Sequence, residues 1–530
     1  MVGIAAVRSE DVSGEPQRST ARATALGIMA ALAGLMFGLD TGVVAGALPF
    51  IATDFQASDA LQGWIVSSMM AGAAFGSLIA GRISTRYGRT GAMLVAAILF
   101  LLGTLLCALA PSALILIIGR VFLGLAVGLA AFAAPLYISE ITVESARGSM
   151  ISFYQLMVTL GIFLAFVSDS LLASGQHWRW MLGIMAVPAT LFLGIVLILP
   201  HSPRWLMMQG RKDHARRVLN SLRSDEEVAE AELADIQARL HKSSDAGFGL
   251  FRSNPNFRRS VYLGMLLQVM QQLTGINALL YYAPRVFQAA HFGVNASIWA
   301  TTLVGLTNMI LTGVAIACVD KWGRRPLLIL SCVIAGLALL GVGILLAVGA
   351  SSFEAQIALC GFVLLFVAGF AIGEGPLVWT LCSEVQPTRG RDFGIGCSTV
   401  TNWGANWAIS KTFPMVMVAM GAASTFIMFA AFNGLFVLVT LMMVPETKGV
   451  SLETIETNLF AGKKLRDLGC NWCERARRVA TKIATATTTH PRGFPAPSVS
   501  KPCQPFCLDC CFPFWITPLR TWRFLPSPMI

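Results

Sequence analysis

The chain has 530 residues, of which 55% are hydrophobic and 13% charged, where a soluble domain carries about 25% charged residues. A single water-soluble core cannot hide that much apolar surface, which excludes an ordinary soluble domain and assigns the chain to a bilayer. The net charge of +11 would suit a nucleic-acid partner, but the basic residues fall on alternate short loops, as the positive-inside rule requires of a membrane protein, so no nucleic acid is expected.

A spanning helix needs roughly 20 residues with few charges. After a cytoplasmic N-terminus at 1–23, such stretches predict twelve spans near 24–52, 62–82, 90–110, 113–138, 150–172, 180–200, 260–290, 296–319, 326–350, 355–382, 393–417 and 422–444. The first apolar stretch is too long for a cleavable signal and no small-residue cleavage site follows it, so the first span is expected to act as the targeting element. One set of loops carries Arg82, Arg86 and Arg89, then Arg147, then Lys321, Arg324 and Arg325, then Arg389 and Arg391; the opposite set shows only Arg179, Arg285 and Lys411. The richer set is assigned to the cytoplasm together with both termini, in a multi-pass protein of the cell inner or plasma membrane.

Between a six-helix bundle at 24–200 and a second at 260–445 lies a cytoplasmic linker, 201–259, with eleven Lys/Arg and eight Asp/Glu. Within it Asp213–Leu240 is predicted to be helical, with a solvated charged face. A short cytoplasmic segment follows at 446–469. The last stretch, 470–530, holds six Cys and nine Pro; its cysteine spacing lacks the paired knuckles of structural zinc, and it reads as a disordered extension. The other six of the twelve cysteines lie in the spans, so no disulfide framework is expected.

The two bundles share their punctuation. Arg86-Tyr-Gly-Arg89 is echoed by Lys321-Trp-Gly-Arg-Arg325, Ser139-Glu140 by Ser383-Glu384, and Pro200-His-Ser-Pro-Arg204 by Pro445-Glu-Thr-Lys-Gly449, at offsets of 235, 244 and 245 residues. A near-constant offset that keeps the same membrane side indicates a parallel repeat about an axis along the membrane normal, an arrangement in which a midplane site alternates access.

Two groups of residues carry candidate chemistry. In the seventh span Gln268, Gln271, Gln272 and Gly275 fall at i, i+3, i+4 and i+7, which puts three amides on one helical face, and Asn402 and Asn406 form an i, i+4 pair beside Trp403. Amides donate and accept at once, which suits a ring of hydroxyls, and aromatic side chains suit an apolar ring face. The alternative for a lone amide is an interhelical hydrogen bond, and for Tyr281 and Tyr282 a place at the membrane interface. Asp40 is the only charge between Arg22 and Asp54, and a carboxylate at that depth is a functional candidate. Its expected partner is Arg120 in the fourth span; a static ion pair is the plainer reading.

Gly119-Arg120, Pro200-His-Ser-Pro-Arg204, Gln271-Gln-Leu-Thr-Gly-Ile-Asn277, Asp320-Lys-Trp-Gly-Arg-Arg325 and Pro445-Glu-Thr-Lys448 together resemble the sugar porter family of the major facilitator superfamily, over about 24–469. Met150-Ile-Ser-Phe-Tyr-Gln-Leu-Met157, Tyr281-Tyr-Ala-Pro284 and Arg391-Asp-Phe-Gly-Ile-Gly-Cys-Ser398 resemble its bacterial galactose and arabinose proton symporters in particular. The resemblance implies an all-α polytopic fold, with two six-helix halves related by a pseudo-two-fold axis. It also implies sugar contacts at Gln155, Gln271, Gln272, Asn277, Asn308, Trp379 and Asn406, with Asn402 and Trp403 in the wall near them. An Asp at position 40 matches the proton symporters, where passive carriers of the family commonly have Asn. Arg86, Arg89, Glu140, Arg147, Arg324, Arg325, Glu384 and Arg389 are implied to be exposed charges of a gate at the inner ends of the spans. Thr85 stands where the superfamily loop usually has Asp, which is expected to weaken the first-half network. Where many passive relatives have Glu in the tenth span this chain has Ala371, and it carries Glu374 instead. Two readings of Glu374 stay open: a ligand or gate contact, or a carboxylate facing water or an Arg.

The expected function is proton-coupled symport of a monosaccharide such as galactose, glucose, arabinose or xylose, by a monomer with the proton as coupling ion and no cofactor or metal. The alternatives are a facilitative uniporter and a sugar sensor. No nucleotide loop and no nucleophile with its base points to an enzyme.

Overall fold

An unbroken helix of fifty residues would be about 75 Å long, more than twice the roughly 30 Å of a bilayer core, so Asp59–Ala108 has to be two crossings. The computed structural model, which describes residues 21–175, 177–223, 225–242, 247–349 and 352–469, breaks it at Gly88 (φ 84°, ψ 169°). The same break recurs at Gly323 (φ 90°, ψ 157°) in the echoed loop. Both glycines adopt a positive φ that costs a side-chain-bearing residue energy. The repeated Gly of the basic loops is thus a repeated reversal of direction.

The described residues form helices in this order: α1 (Ala21–Asp54), α2 (Asp59–Ala108), α3 (Ala113–Ile141), α4 (Glu144–Leu172), α5 (Trp178–Gly183) with α6 (Ala186–Ile198) as one crossing, and the linker helices α7 (Pro203–Met208), α8 (Lys212–Leu222), α9 (Glu226–Lys242) and α10 (Gly247–Ser253). The second half follows with α11 (Pro255–Leu273), α12 (Ile276–Ala289), α13 (Val294–Trp322), α14 (Arg324–Val348) and α15 (Phe353–Gly369). It ends with a π-helical turn (Phe370–Glu374), α16 (Gly375–Val385), α17 (Arg391–Met420), α18 (Ala422–Met443) and the short α19 (Leu452–Phe460). Ten helices, bent ones counted whole, are long and apolar enough to cross a membrane among the described residues. The break at Gly88 turns one of them into two crossings. The twelfth is α17, whose Ser, Thr, Asn and Lys residues lower its hydropathy.

Within the first half, α1 packs on α4 through Gly34, Gly38, Gly42 and Gly46, spaced four apart on one face. A methyl group at these positions would run into the Tyr154 and Val158 carbonyls, the Ala165 side chain and the Asp169 carboxylate. Small residues at helical spacing are how membrane helices approach closely enough for dispersion to hold them.

The halves touch one another toward the end opposite the basic loops. There Arg285 of α12 pairs with Asp59 at 2.6 Å and donates to Gln62, and Lys411 lies 4.1 Å from the Trp64 ring. Ser170 of α4 bonds Thr302 of α13 at 2.7 Å. Nearer the middle, Phe37 packs on Trp403 at 5.6 Å between ring centres. Toward the basic loops, no ion pair among the described residues crosses from one half to the other.

The linker departs from expectation. Asp213–Leu240 is two helices, because Arg223 turns inward to pair bidentately with Glu232 and to donate to the Ile141 carbonyl. That folds α9 back on α8 over Trp205, Leu219, Ala229 and Leu233. Residues 1–20 and the Cys- and Pro-rich stretch 470–530 lie outside the described residues, as does the Asp320 side chain.

Candidate functional site

The seventh crossing is broken at Gly275 (φ 91°), so α11 ends with its amides facing α17 and α12 restarts at a new angle. Gln271 joins three elements: its Nε2 donates to the Glu374 carbonyl at 2.8 Å, and its Oε1 accepts from Asn402 Nδ2 at 3.0 Å. The same Asn402 nitrogen donates to Gln268 at 2.5 Å, and Asn277 donates to Gln272 across the break at 2.7 Å. Asn406, one turn along α17, accepts from Ser410. Gln268, Gln271, Gln272, Asn402 and Asn406 are all buried, while Asn277 is half-buried. The result is a sheet of amides already paired with one another, and an incoming hydroxyl can exchange with those bonds one for one.

The remaining residues expected at a sugar site are distributed around this cluster. Trp403 is buried against Phe37, at the contact between the halves. Asn308 is buried on α13, which packs on α12 and on the π-helical turn. Gln155 is exposed; it lies three turns from Phe166 on the same face of α4, and Phe166 accepts from Thr302 of α13. The face that meets the other half at Phe166 is thus open at Gln155. Trp379 is 40% exposed and stands apart from the hydrogen-bonded amides. Tyr281 and Tyr282 are not interfacial anchors: both are fully buried, and Tyr282 donates to the Ser410 carbonyl at 2.9 Å.

In the first half the buried polarity is ionic. Asp40 and Arg120 are both 1% exposed, with Oδ1 and Nη1 3.7 Å apart, too far for a hydrogen bond. Asp40 Oδ2 and the three guanidinium nitrogens have no hydrogen-bond partner. Such a pair gains Coulomb energy without recovering its desolvation cost. It is a loose pair, held where a small movement would tighten or separate it. Phe37, three residues before Asp40, packs on Trp403, the residue after Asn402, at 5.6 Å between ring centres. One ring contact thus joins the helix turn that carries the carboxylate to the helix that carries Asn402 and Asn406.

The reading of the sequence missed Asp169, whose Oδ2 accepts from Gly46 N at 3.1 Å and whose Oδ1 has no partner, at zero exposure. It falls inside the expected span 150–172, whose charge went unremarked. The signal that would have revealed its burial is the small residue opposite it, Gly46, on a helix 123 residues earlier.

The charges at the basic end also differ from expectation. Arg89 and Glu140 form a bidentate pair at 2.8 and 2.9 Å and are nearly buried rather than exposed. Arg324 pairs with Glu384 at 3.3 Å, and Arg325 donates to the Leu441 carbonyl. Both ion pairs stay within one half. Arg86 lies against Tyr87; Arg86, Arg147 and Arg389 are exposed. Thr85 donates to the Gly81 carbonyl, and its own carbonyl accepts from Trp205. At the two reversals, Glu446 accepts from the amides of Arg324 and Arg325 at 3.1 and 3.0 Å, and His201 occupies the echoed place with Nδ1 2.6 Å from the Thr90 hydroxyl. Burial, and after it Arg211, holds the His201 imidazole below its usual range.

Among the described residues no group of three His, Cys, Asp or Glu side chains converges as a metal site. A family model described as "Sugar (and other) transporter" matches residues 26–459. The chain belongs to the sugar transporter family. It is 50% identical over 444 residues to the galactose-proton symporter of Escherichia coli K12, covering 84% of this chain and 96% of that protein. It is 49% identical over 446 residues to the arabinose-proton symporter of the same strain, covering 83% and 94%. Among solved structures, the xylose transporter of Escherichia coli in a partially occluded inward open conformation superposes with a TM-score of 0.72 at 28% identity, over 81% of this chain and 99% of that one. Members of this family with those names are transporters, and the twelve crossings in two halves are the architecture the resemblance implied.

Proposed function

We propose that this chain carries a monosaccharide together with a proton across the cell inner or plasma membrane by alternating access. The sugar hydroxyls exchange with the amides of Gln271, Gln272, Asn277, Asn402 and Asn406, with Gln155, Asn308, Trp379 and Trp403 completing the wall. The proton is exchanged at Asp40 under the field of Arg120. The observation that carries the coupling is the contact of Phe37 with Trp403, 5.6 Å between ring centres: a sugar bound beside Trp403 presses on the helix turn that holds Asp40. No cofactor beyond the proton is needed, and one monomer contains every group invoked.

With the basic loops cytoplasmic, the protein is closed outside by Arg285–Asp59 and Ser170–Thr302 and parted inside, an inward-facing state. The paired arginines and glutamates at the inner ends then exchange partners between halves when the inner side closes, and both termini lie in the cytoplasm. The names of the relatives, galactose- and arabinose-proton symporters, favour a hexose or pentose.

The test is uptake in proteoliposomes with an imposed pH gradient. Asp40→Asn is expected to abolish uphill accumulation while counterflow exchange continues, which also reports that the variant folds. Unchanged accumulation in Asp40→Asn sinks the proton assignment, and wild-type uptake that ignores a protonophore makes the protein a passive carrier.

A further inference from the structure

Glu374 belongs to neither group just described. It closes the π-helical turn of the tenth crossing, its carboxyl is 0% exposed, and neither oxygen has a hydrogen-bond partner of ordinary geometry. The polar groups beside it are the Cys332 thiol of α14 and the Thr274 hydroxyl at the end of α11, and that hydroxyl donates to the Gln271 carbonyl at 2.6 Å. Of the charged residues on the elements packed around the turn, Arg324 and Arg325 sit at the start of α14 and pair elsewhere, Glu354 begins α15, and Glu384 pairs with Arg324 near the end of α16. Asp320 and Lys321 lie in the last turn of α13, which also packs on the π-helical turn, and their side chains lie outside the described residues. Among the described residues no Arg and no water-facing surface meets Glu374, which speaks against a solvated or arginine-paired carboxylate. An ionised carboxylate in such a place carries a large desolvation cost; the neutral acid does not.

The backbone of the same residue is tied on both sides. Its N–H donates to Ser331 Oγ at 2.9 Å, and Ser331 donates on to the Gly369 carbonyl. Its carbonyl receives Gln271 Nε2 at 2.8 Å. A π-helical turn is a local irregularity that recurs at functional sites and can change pitch. Ionising Glu374 requires the side chain to leave its apolar surroundings, and that movement pulls the carbonyl away from Gln271.

We propose that Glu374 is a second proton-binding site of the carrier, lying in the sugar half and linked to the sugar amides through its own backbone carbonyl. The proposal rests on the sugar and Asp40 assignments above. Carboxylate and proton combine to the neutral acid, the turn keeps Gln271 in place, and the amides bind sugar tightly; loss of the proton loosens them. By reciprocity, sugar binding draws in a proton at this site.

The experiment uses the full chain in detergent and weak buffer. A saturating mixture of D-galactose and L-arabinose is added, binding is followed by tryptophan fluorescence and proton uptake by an indicator dye. Asp40→Asn is expected to keep a sugar-linked proton uptake, and its sugar affinity to fall about fivefold or more from acid to alkaline pH. Adding Glu374→Gln, which fixes a neutral side chain of nearly the same size, removes both effects. Adding Glu374→Asp instead restores uptake, which a packing role would not do, since Gln is the closer fit. Asp40→Asn that binds sugar without taking up a proton overturns the proposal, and so does uptake that persists in Asp40→Asn with Glu374→Gln. Absence of any fluorescence response in the wild type overturns the sugar reading and this one with it. Full wild-type uptake in Asp40→Asn overturns the Asp40 assignment alone, and its loss on adding Glu374→Gln then supports Glu374.

Discussion

The two halves repeat the same helices and the same loop glycines, yet they bury different chemistry. The first holds charge: the Asp40–Arg120 pair at 3.7 Å, with four polar atoms lacking partners, and the lone Asp169. The second holds amides that satisfy one another, from Gln268 and Gln271 through Asn402 to the Glu374 backbone. A saturated network is stable as it stands and yields to a ligand that offers equivalent bonds. An unsatisfied ion pair is held in tension and responds to a proton. One repeated scaffold thus carries two dominant polarities, ionic in the first half and amide in the second, with the unpartnered Glu374 carboxyl as the exception in the second.

The largest expected effect tests the ionic half. Arg120→Ala leaves Asp40 buried without its cation and is expected to cost about 3–5 kcal/mol of stability, read as loss of monodisperse protein on heating. Asp40→Asn costs less, because an amide oxygen still faces Arg120. Combining Asp40→Asn with Arg120→Ala is expected to recover much of the loss. A double variant as unstable as Arg120→Ala alone would mean that α1 and α3 depend on Arg120 for packing rather than for charge.

The amide half responds differently. Gln271→Ala removes bonds to Asn402 and to the Glu374 carbonyl, and at about 1–3 kcal/mol for buried polar groups left unpaired the half-saturating sugar concentration for exchange rises roughly 10- to 100-fold. Folding is expected to change little, since the neighbouring amides can pair again. An unaltered exchange affinity would separate the cluster from the sugar and leave it as glue between helices.

The spans and reversals were legible because charge gaps and Gly-containing basic loops are local signals. The face formed by Gln268, Gln271 and Gln272 was legible because it follows from helical spacing. Sites that depend on partners distant in sequence were not. Asp169 is buried only because Gly46 lets α4 approach, and the surroundings of Glu374 depend on Ser331, Cys332 and Thr274 from other helices. The linker was misread although a local signal existed: Asp225 accepts from the Glu227 amide and starts α9, an acidic cap at the head of a helix. Among the expected gate charges Arg86, Arg147 and Arg389 are exposed, whereas Arg89 and Glu140 are nearly buried because they lie where α2 and α3 meet.

The smallest expected effect compares the two reversals. Glu446 accepts two amides at the start of α14, where a negative charge is favoured by the helix dipole, while His201 meets the Thr90 hydroxyl and the Trp205 ring at the echoed place. Glu446→Gln is expected to cost about 0.5–2 kcal/mol and His201→Asn less at neutral pH. The pH dependence separates them. Burial lowers the His201 imidazole below its ordinary value of 6.5, so the unfolded chain binds that proton first and folding is opposed once pH falls below the unfolded value. The penalty grows until pH passes the folded value and is absent at alkaline pH. Thermal unfolding in detergent is therefore expected to show a stability that declines from neutral to mildly acid pH in the wild type and in Glu446→Gln, with a shallower decline in His201→Asn. Equal slopes in all three would show that His201 keeps no share of the acid sensitivity and that the first reversal is held by the Arg89–Glu140 pair instead.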